Sequence, residues 1–306
     1  MNVLAILKDF TCRCKSVFEN TTTQVSKRFL NWLVLTIRTV ALIPWKINFT
    51  RLSRYGGRTA KTFASNFKAS VDWIKVNIGI ARDSIGEGDD IAIAIDPSFI
   101  SKSGRLTYGI GRFWSGGAQR VKRGLEIMDF GAISLSKHTC VMPGAIQSPN
   151  FETLESEKDM SMLDWYISLV RSKADELLPL TDIMVADAFF SKYEFVNEVV
   201  ATGFRFVGRL RSNSYLRYLA IPDPSAPRRR GRRKKYGEKV DFSSLDMAVF
   251  TSFIYTDSKG AKTKCYTAVV NSRALKRDIR IVVCPVEGSV SLSVSEASSL
   301  KPIDLR

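Results

Sequence analysis

Ile91-Ala92-Ile93-Ala94-Ile95-Asp96-Pro97 and Ile183-Met184-Val185-Ala186-Asp187 decide the fold of this chain. Each is a short run of apolar residues that ends on an aspartate. Runs of this length, bounded by turn residues, read as buried strands. Gly86-Glu87-Gly88-Asp89-Asp90 is a turn before the first strand, and Pro97 is expected to stop it, because proline cannot donate to a ladder. Side chains alternate along a strand, so Asp96 shares a face with Ala92 and Ala94, opposite the three isoleucines.

Working outward, Thr107 to Trp114 and Leu125 to Leu135 read as two further strands, and their close succession predicts an antiparallel meander. Residues 159–178 read as a helix with Met162, Trp165, Tyr166, Leu169 and Val170 on one face, closed by Pro179. After the second aspartate strand, Ser191 and Glu194 have the spacing of a capping box, opening a helix that buries Phe195, Val196, Val199 and Val200. Gly203 suits its end, and Phe204 to Val207 is one more strand. The order is three strands, helix, strand, helix, strand, which is an α/β fold with a mixed sheet.

If the two aspartate strands are neighbours, Asp96 and Asp187 come within reach of one cation. Carboxylates held close repel, and Mg²⁺ or Mn²⁺ is the usual remedy. Ions bound this way activate water or a 3′-hydroxyl for phosphodiester cleavage. An aspartate that ends a strand also serves as a turn or helix-cap residue, and the pattern alone leaves both roles open.

The charge points to a polyanion. Forty-six Lys and Arg against 30 Asp and Glu give a net +16 in 306 residues. Residues 1–88 hold 14 basic and 5 acidic side chains, and residues 209–239 hold 11 and 2, whereas residues 89–208 hold 12 and 16. Two basic blocks thus flank a mildly acidic middle. The second contains Arg228-Arg229-Arg230-Gly231-Arg232-Arg233-Lys234-Lys235, directly after the stiff linker Pro222-Asp223-Pro224-Ser225-Ala226-Pro227. Seven cations in eight residues either stay solvated or lie against phosphates, and their mid-chain place favours gripping nucleic acid. The same two possibilities hold for the basic turn Arg51 to Arg58.

The first block reads as helical, with Val25, Phe29, Trp32, Leu33, Thr36, Ile37 and Val40 in one stripe and Phe63, Phe67, Val71, Ile74 and Ile78 in a second. Arg38 and the short length argue against a membrane span at Phe29 to Trp45. Residues 240–286 read as β, with strands at 248–255, 264–271 and 279–284, and Gly288 to Arg306 reads as a loose serine-rich tail. One histidine, His138, and five scattered cysteines exclude a His-rich metal cage or a four-cysteine zinc site. The odd cysteine count and the shortness of the apolar run Val3 to Leu7 suggest a cytoplasmic protein. Trp114 is a stacking candidate, but alternation with Phe113 leaves it equally open to packing within the strand.

Asp96-Pro97-Ser98-Phe99-Ile100-Ser101-Lys102-Ser103-Gly104, Thr107-Tyr108-Gly109 and Phe113-Trp114-Ser115-Gly116 resemble the first-aspartate region of bacterial insertion-sequence transposases. Val185-Ala186-Asp187-Ala188-Phe189-Phe190-Ser191-Lys192 resembles their second-aspartate region. The likeness is to DDE transposases with a ribonuclease-H-like core, in the group marked by a Tyr-Arg-Glu-Lys helix, and spans roughly residues 25–285. It implies residues 1–88 as a helical DNA-binding region, 89–208 as the ribonuclease-H-like catalytic core, 209–286 as a basic linker and β-rich insertion, and 287–306 as an aberrant tail. It also implies Asp96 and Asp187 as catalytic ligands of Mg²⁺ or Mn²⁺. Lys102, with Arg228, Arg229, Arg230, Arg232, Arg233, Lys234 and Lys235, would contact double-stranded DNA at terminal repeats and target, with a homodimer on the DNA. The bacterial nucleoid would be its place. The group's late glutamate is not found: no tyrosine follows Tyr266, and Glu287 and Glu296 lack the motif. The expectation is therefore a transposase truncated before its third carboxylate, able to bind DNA but catalytically crippled, with a non-catalytic, inhibitory DNA-binding derivative as the alternative.

Overall fold

The computed structural model describes residues 3–20, 25–86, 88–104, 106–211, 213–220, 231, 233–257, 259–286 and 289–296. The chain divides into a unit ending at Glu87 and one beginning at Gly88.

The first unit is helical: α1 (Val3–Asn20), α2 (Lys27–Leu42), α3 (Phe49–Gly56), α4 (Ala60–Asn66) and α5 (Trp73–Ile85). Polar side chains fix the helix starts. Ser26, Asn48, Thr59 and Asp72 accept the backbone N–H groups of Phe29, Arg51, Thr62 and Lys75 at 3.1, 2.9, 3.1 and 3.2 Å, satisfying donors that have no partner within the first turn. The core joins Phe29, Leu30, Trp32 and Leu33 of α2 to Leu52, Phe63 and Val76. The expected stripe from Phe63 to Ile78 is two helices rather than one. Phe63 is buried in α4 and Ile74 and Ile78 in α5, while Phe67 lies exposed at the break. Most of the basic segment Arg51 to Arg58 is helix α3, not a turn; Gly57, at φ 65°, ends it.

The second unit is mixed α/β. It contains β1 (Ile91–Ser101), β2 (Gly111–Ser115), β3 (Arg120–Ser134), β4 (Thr139–Gln147), α6 (Phe151–Lys158), α7 (Met162–Leu177), β5 (Ile183–Ala186), α8 (Tyr193–Ala201) and β6 (Arg205–Arg209). Then follow β7 (Leu216–Leu219), β8 (Tyr236–Lys239), β9 (Thr251–Thr256), β10 (Lys262–Ser272), β11 (Arg277–Val286) and β12 (Ser289–Glu296). The strands form one sheet in the order β2-β3-β1-β5-β6-β12-β11-β10-β7-β8, with β4 also on β3 and β9 also on β10. β3 runs antiparallel to β1 and β4, whereas β5 and β6 run parallel to β1, which requires the helical crossovers α7 and α8. Ile93, Ile95, Met128, Phe130, Met184 and Phe206 of the sheet and Tyr166, Val170, Leu177, Phe195, Val196 and Val199 of the two helices are buried.

Several expectations change. β1 does not stop at Pro97 but continues to Ser101. Leu135 donates its N–H to the carbonyl of Asp90 at 2.9 Å, and the β1–β3 register then puts the N–H positions of odd-numbered β1 residues on the β5 side. β5 pairs only as far as Ile95, so the missing N–H of Pro97 falls on an edge that, among the described residues, no strand covers. Residues 107–110 are turn rather than strand, and β4, interrupted in sequence by Pro143-Gly144, gives no clean alternation to read. The capping box forms elsewhere. Ser191 instead donates to the carbonyl of Arg209 at 2.8 Å, while Ser161 and Asp164 cap α7 reciprocally. The tail is not loose throughout: residues 289–296 form β12, antiparallel to β11 and to β6. Val290, Leu292 and Val294 alternate with serines, a two-residue period that a search for helical spacing passes over.

Candidate functional site

The site is built where β5 ends beside β1. Ile95 and Ala186 are register partners on these parallel strands, so Asp96 and Asp187, each the next residue, stand level at neighbouring positions. Adjacent strands lie about 4.8 Å apart. β5 ends at Ala186, and Asp187 starts the turn into α8. Its Oδ1 accepts the N–H of Phe189 at 2.9 Å and its carbonyl accepts that of Phe190 at 3.2 Å. Aromatic packing fixes this turn: Phe190 lies 5.5 Å from the Tyr166 ring of α7 and 4.7 Å from Phe195 of α8. Lys192 Nζ sits 4.1 Å from the centre of the Phe189 ring.

Two further carboxylates come from β3, and sequence reading missed both. Asp129 is the direct cross-strand partner of Asp96, which places their Cβ atoms about 5 Å apart on one face. Glu126, only 7% exposed, accepts the Tyr166 hydroxyl at 2.5 Å. The usable signal was charge within an apolar strand, since Leu125-Glu126-Ile127-Met128-Asp129-Phe130 has no need of two acids for packing. Loss of water around its carboxyl, and then the charges of Asp187, Asp129 and Glu126, hold Asp96 above the ordinary aspartate range. Burial, the bond to Glu126 and the charges of Glu126 and Asp96 likewise push the Tyr166 phenol well above its usual value. The cluster is therefore short of positive charge.

Among the described residues, no three acidic, histidine or cysteine side chains close around a point that would hold a metal ion. The donor chemistry nonetheless fits Mg²⁺ or Mn²⁺, which bind through one or two carboxylates and keep several waters. Asp96 and Asp187 are both solvent-exposed, as such a site requires.

Of the other expected residues, those described are not gathered at this point. Lys102 lies exposed just past Ser101, the end of β1, which is about 17 Å along the strand from Asp96. Arg228, Arg229, Arg230 and Arg232 fall outside the described residues. Arg233, Lys234 and Lys235 are exposed and lead into β8; Lys235 is tied at its carbonyl by the N–H of Ala220 at 3.1 Å. Among the described residues no helix is long and apolar enough to cross a membrane. No family model matches the chain, and no curated protein matches it.

Proposed function

We propose that the chain acts on DNA as a transposase-like, metal-dependent endonuclease and strand transferase. The observation that carries this reading is the level placement of Asp96 and Asp187 on neighbouring parallel strands, with Asp129 facing Asp96 from the other side. Three antiparallel strands, β1, β3 and β4, followed by the helix-linked parallel strands β5 and β6, support taking this part of the sheet for a ribonuclease-H-like core. Basic blocks on either side of an acidic centre support DNA as the partner.

In this reading Asp96 and Asp187 would hold Mg²⁺ or Mn²⁺, with Asp129 adding negative charge beside Asp96. When bound, the metal supplies activation of water or of a 3′-hydroxyl and stabilisation of the leaving oxygen. The chain's own task is geometric. β1 and β5 set the spacing of the two carboxylates, and the Phe189-Phe190 turn fixes Asp187 against α7. The Tyr166–Glu126 bond ties a buried acid of β3 to α7 beneath them.

Purified protein with Mg²⁺ should nick DNA carrying its terminal repeats, though weakly, since the group's late glutamate is not found. Asp96→Asn and Asp187→Asn, which keep shape and remove charge, should each lower nicking at least about 100-fold, since even partners of metal ligands cost 10- to 100-fold. Undiminished nicking by Asp96→Asn would sink the assignment. A second reading, DNA binding without cleavage, is favoured by the engagement of Asp187 Oδ1 with its own turn. Repeat-specific binding with no Mg²⁺-dependent nicking by the unaltered chain would select it.

A further inference from the structure

We propose that the outer face of the β2–β3 hairpin binds a single-stranded stretch of DNA, with a base stacked on Trp114 and flanking phosphates on Arg112 and Arg123. This rests on the reading of DNA as the substrate. Register assembles the face: Trp114 pairs with Val121 and Arg112 with Arg123, and residues two apart on a strand point the same way. Burial then settles the alternation that sequence left open. Phe113 is 4% exposed and Ser115 is buried beside it, whereas Trp114 is 57% and Val121 49% exposed. The indole therefore stands in solvent with an arginine on each strand about 7 Å away along the chain.

Folding does not account for this composition. Like charges directly opposite on paired strands are destabilising, yet Arg112 and Arg123 face each other, and among the described residues no acid pairs with either. Between Asp96 and Glu126 the sequence has no acidic residue and six cations, Lys102, Arg105, Arg112, Arg120, Lys122 and Arg123. A surface with arginines around an exposed ring complements a polyanion whose units carry π-faces, which is the chemistry of single-stranded nucleic acid. A duplex offers phosphates but keeps its bases stacked away from such a ring.

The hairpin is continuous with the carboxylate cluster. Arg123 and Asp129 lie six residues apart on β3, about 20 Å. Trp114 is level with Val121, eight residues or about 27 Å from Asp129, so at about 3.4 Å per stacked nucleotide a base on Trp114 sits roughly eight nucleotides from a phosphate at Asp96. The hairpin would hold a strand frayed beyond the point of attack.

The test uses the full chain in EDTA, so that binding is read apart from cleavage, with a dye-labelled 20-nucleotide oligothymidine and a duplex followed by anisotropy. Trp114→Ala should weaken single-strand binding roughly 5- to 150-fold, the range for loss of one base–aromatic stack, and affect the duplex far less. Trp114→Phe should retain much of the affinity. Arg112→Gln with Arg123→Gln should lower the slope of log affinity against log salt by about 1.4, two phosphate contacts on a single strand. Melting of each variant checks the fold, which an exposed ring does not support. Single-strand affinity of Trp114→Ala equal to that of the unaltered chain, or no single-strand binding at all by the unaltered chain, overturns the proposal. Loss of binding in Trp114→Ala alongside absent Mg²⁺-dependent nicking would keep it and discard the catalytic reading instead.

Discussion

At the scale of single residues, Asp96 carries the most information. Its carboxyl is held above the ordinary range by loss of water and by three acidic neighbours. An acid whose folded-state pKa is raised binds its proton more tightly in the folded chain. Stability is then full at low pH and declines as pH rises from the unfolded to the folded value. Asp96→Asn should therefore melt higher than the unaltered protein at pH 7 without metal. The gain should stay below about 1 kcal/mol, because water screens an exposed group, or up to about 4 °C in Tm. The difference should shrink as pH falls through the carboxylate range. A lower Tm for the amide at pH 7 would show that Asp96 is stabilised by its surroundings. The substitution proposed to lower nicking is thus expected to firm the fold, a conflict typical of sites built from repelling charges.

At the scale of elements, the pairing of β1 with β3 holds the site, and Gly124 shows how closely the strands approach. A Cβ there would lie 2.3 Å from the Ile100 carbonyl and 2.6 Å from the Phe99 ring, so only glycine fits. Gly124→Ala should cost about 1–3 kcal/mol in urea unfolding, the range for overpacking, and should weaken both ends of β3, the acids and the basic hairpin. An unchanged midpoint would mean that the ladder is already open at Ser101–Gly124. The β1–β5 pairing is much shorter, three register pairs. That brevity lets β1 carry Pro97 and leaves Asp96 and Asp187 open to solvent.

At the scale of the whole molecule, two units each have their own buried residues, with Leu52 and Phe63 in the first and Ile93 and Phe130 in the second. Separate cores predict separate unfolding. Phe63→Ala should cost about 3–5 kcal/mol in the first unit alone, while Gly124→Ala shifts only the second. Calorimetry should thus show two transitions that move independently, and a single transition shifted by both variants would contradict this. Much of the second unit was legible because its strands and helices declare themselves by local period. The strands at 91–96, 183–186 and 264–271 and the helices after residues 161 and 192 all follow from apolar spacing within a few residues. β12 was missed although its alternation was present, because serine-rich sequence reads as tail until a partner strand is found for it.

The sequence by itself determined the local alphabet of this protein. It set which segments are extended or helical, that two strands end in aspartate, and that positive charge gathers in blocks, since these depend on neighbouring residues and on composition. The tertiary structure alone decided which groups meet. Asp129 and Glu126 lie more than 25 residues from Asp96 in the chain, yet β1–β3 register sets Asp129 directly beside it and brings Glu126, on the opposite face, near enough to act on its carboxyl. Register likewise turned Trp114 outward and let β12 join β6 to β11. A one-residue slip would reverse every one of these faces, and only the packing of distant segments against a common core fixes which register is adopted.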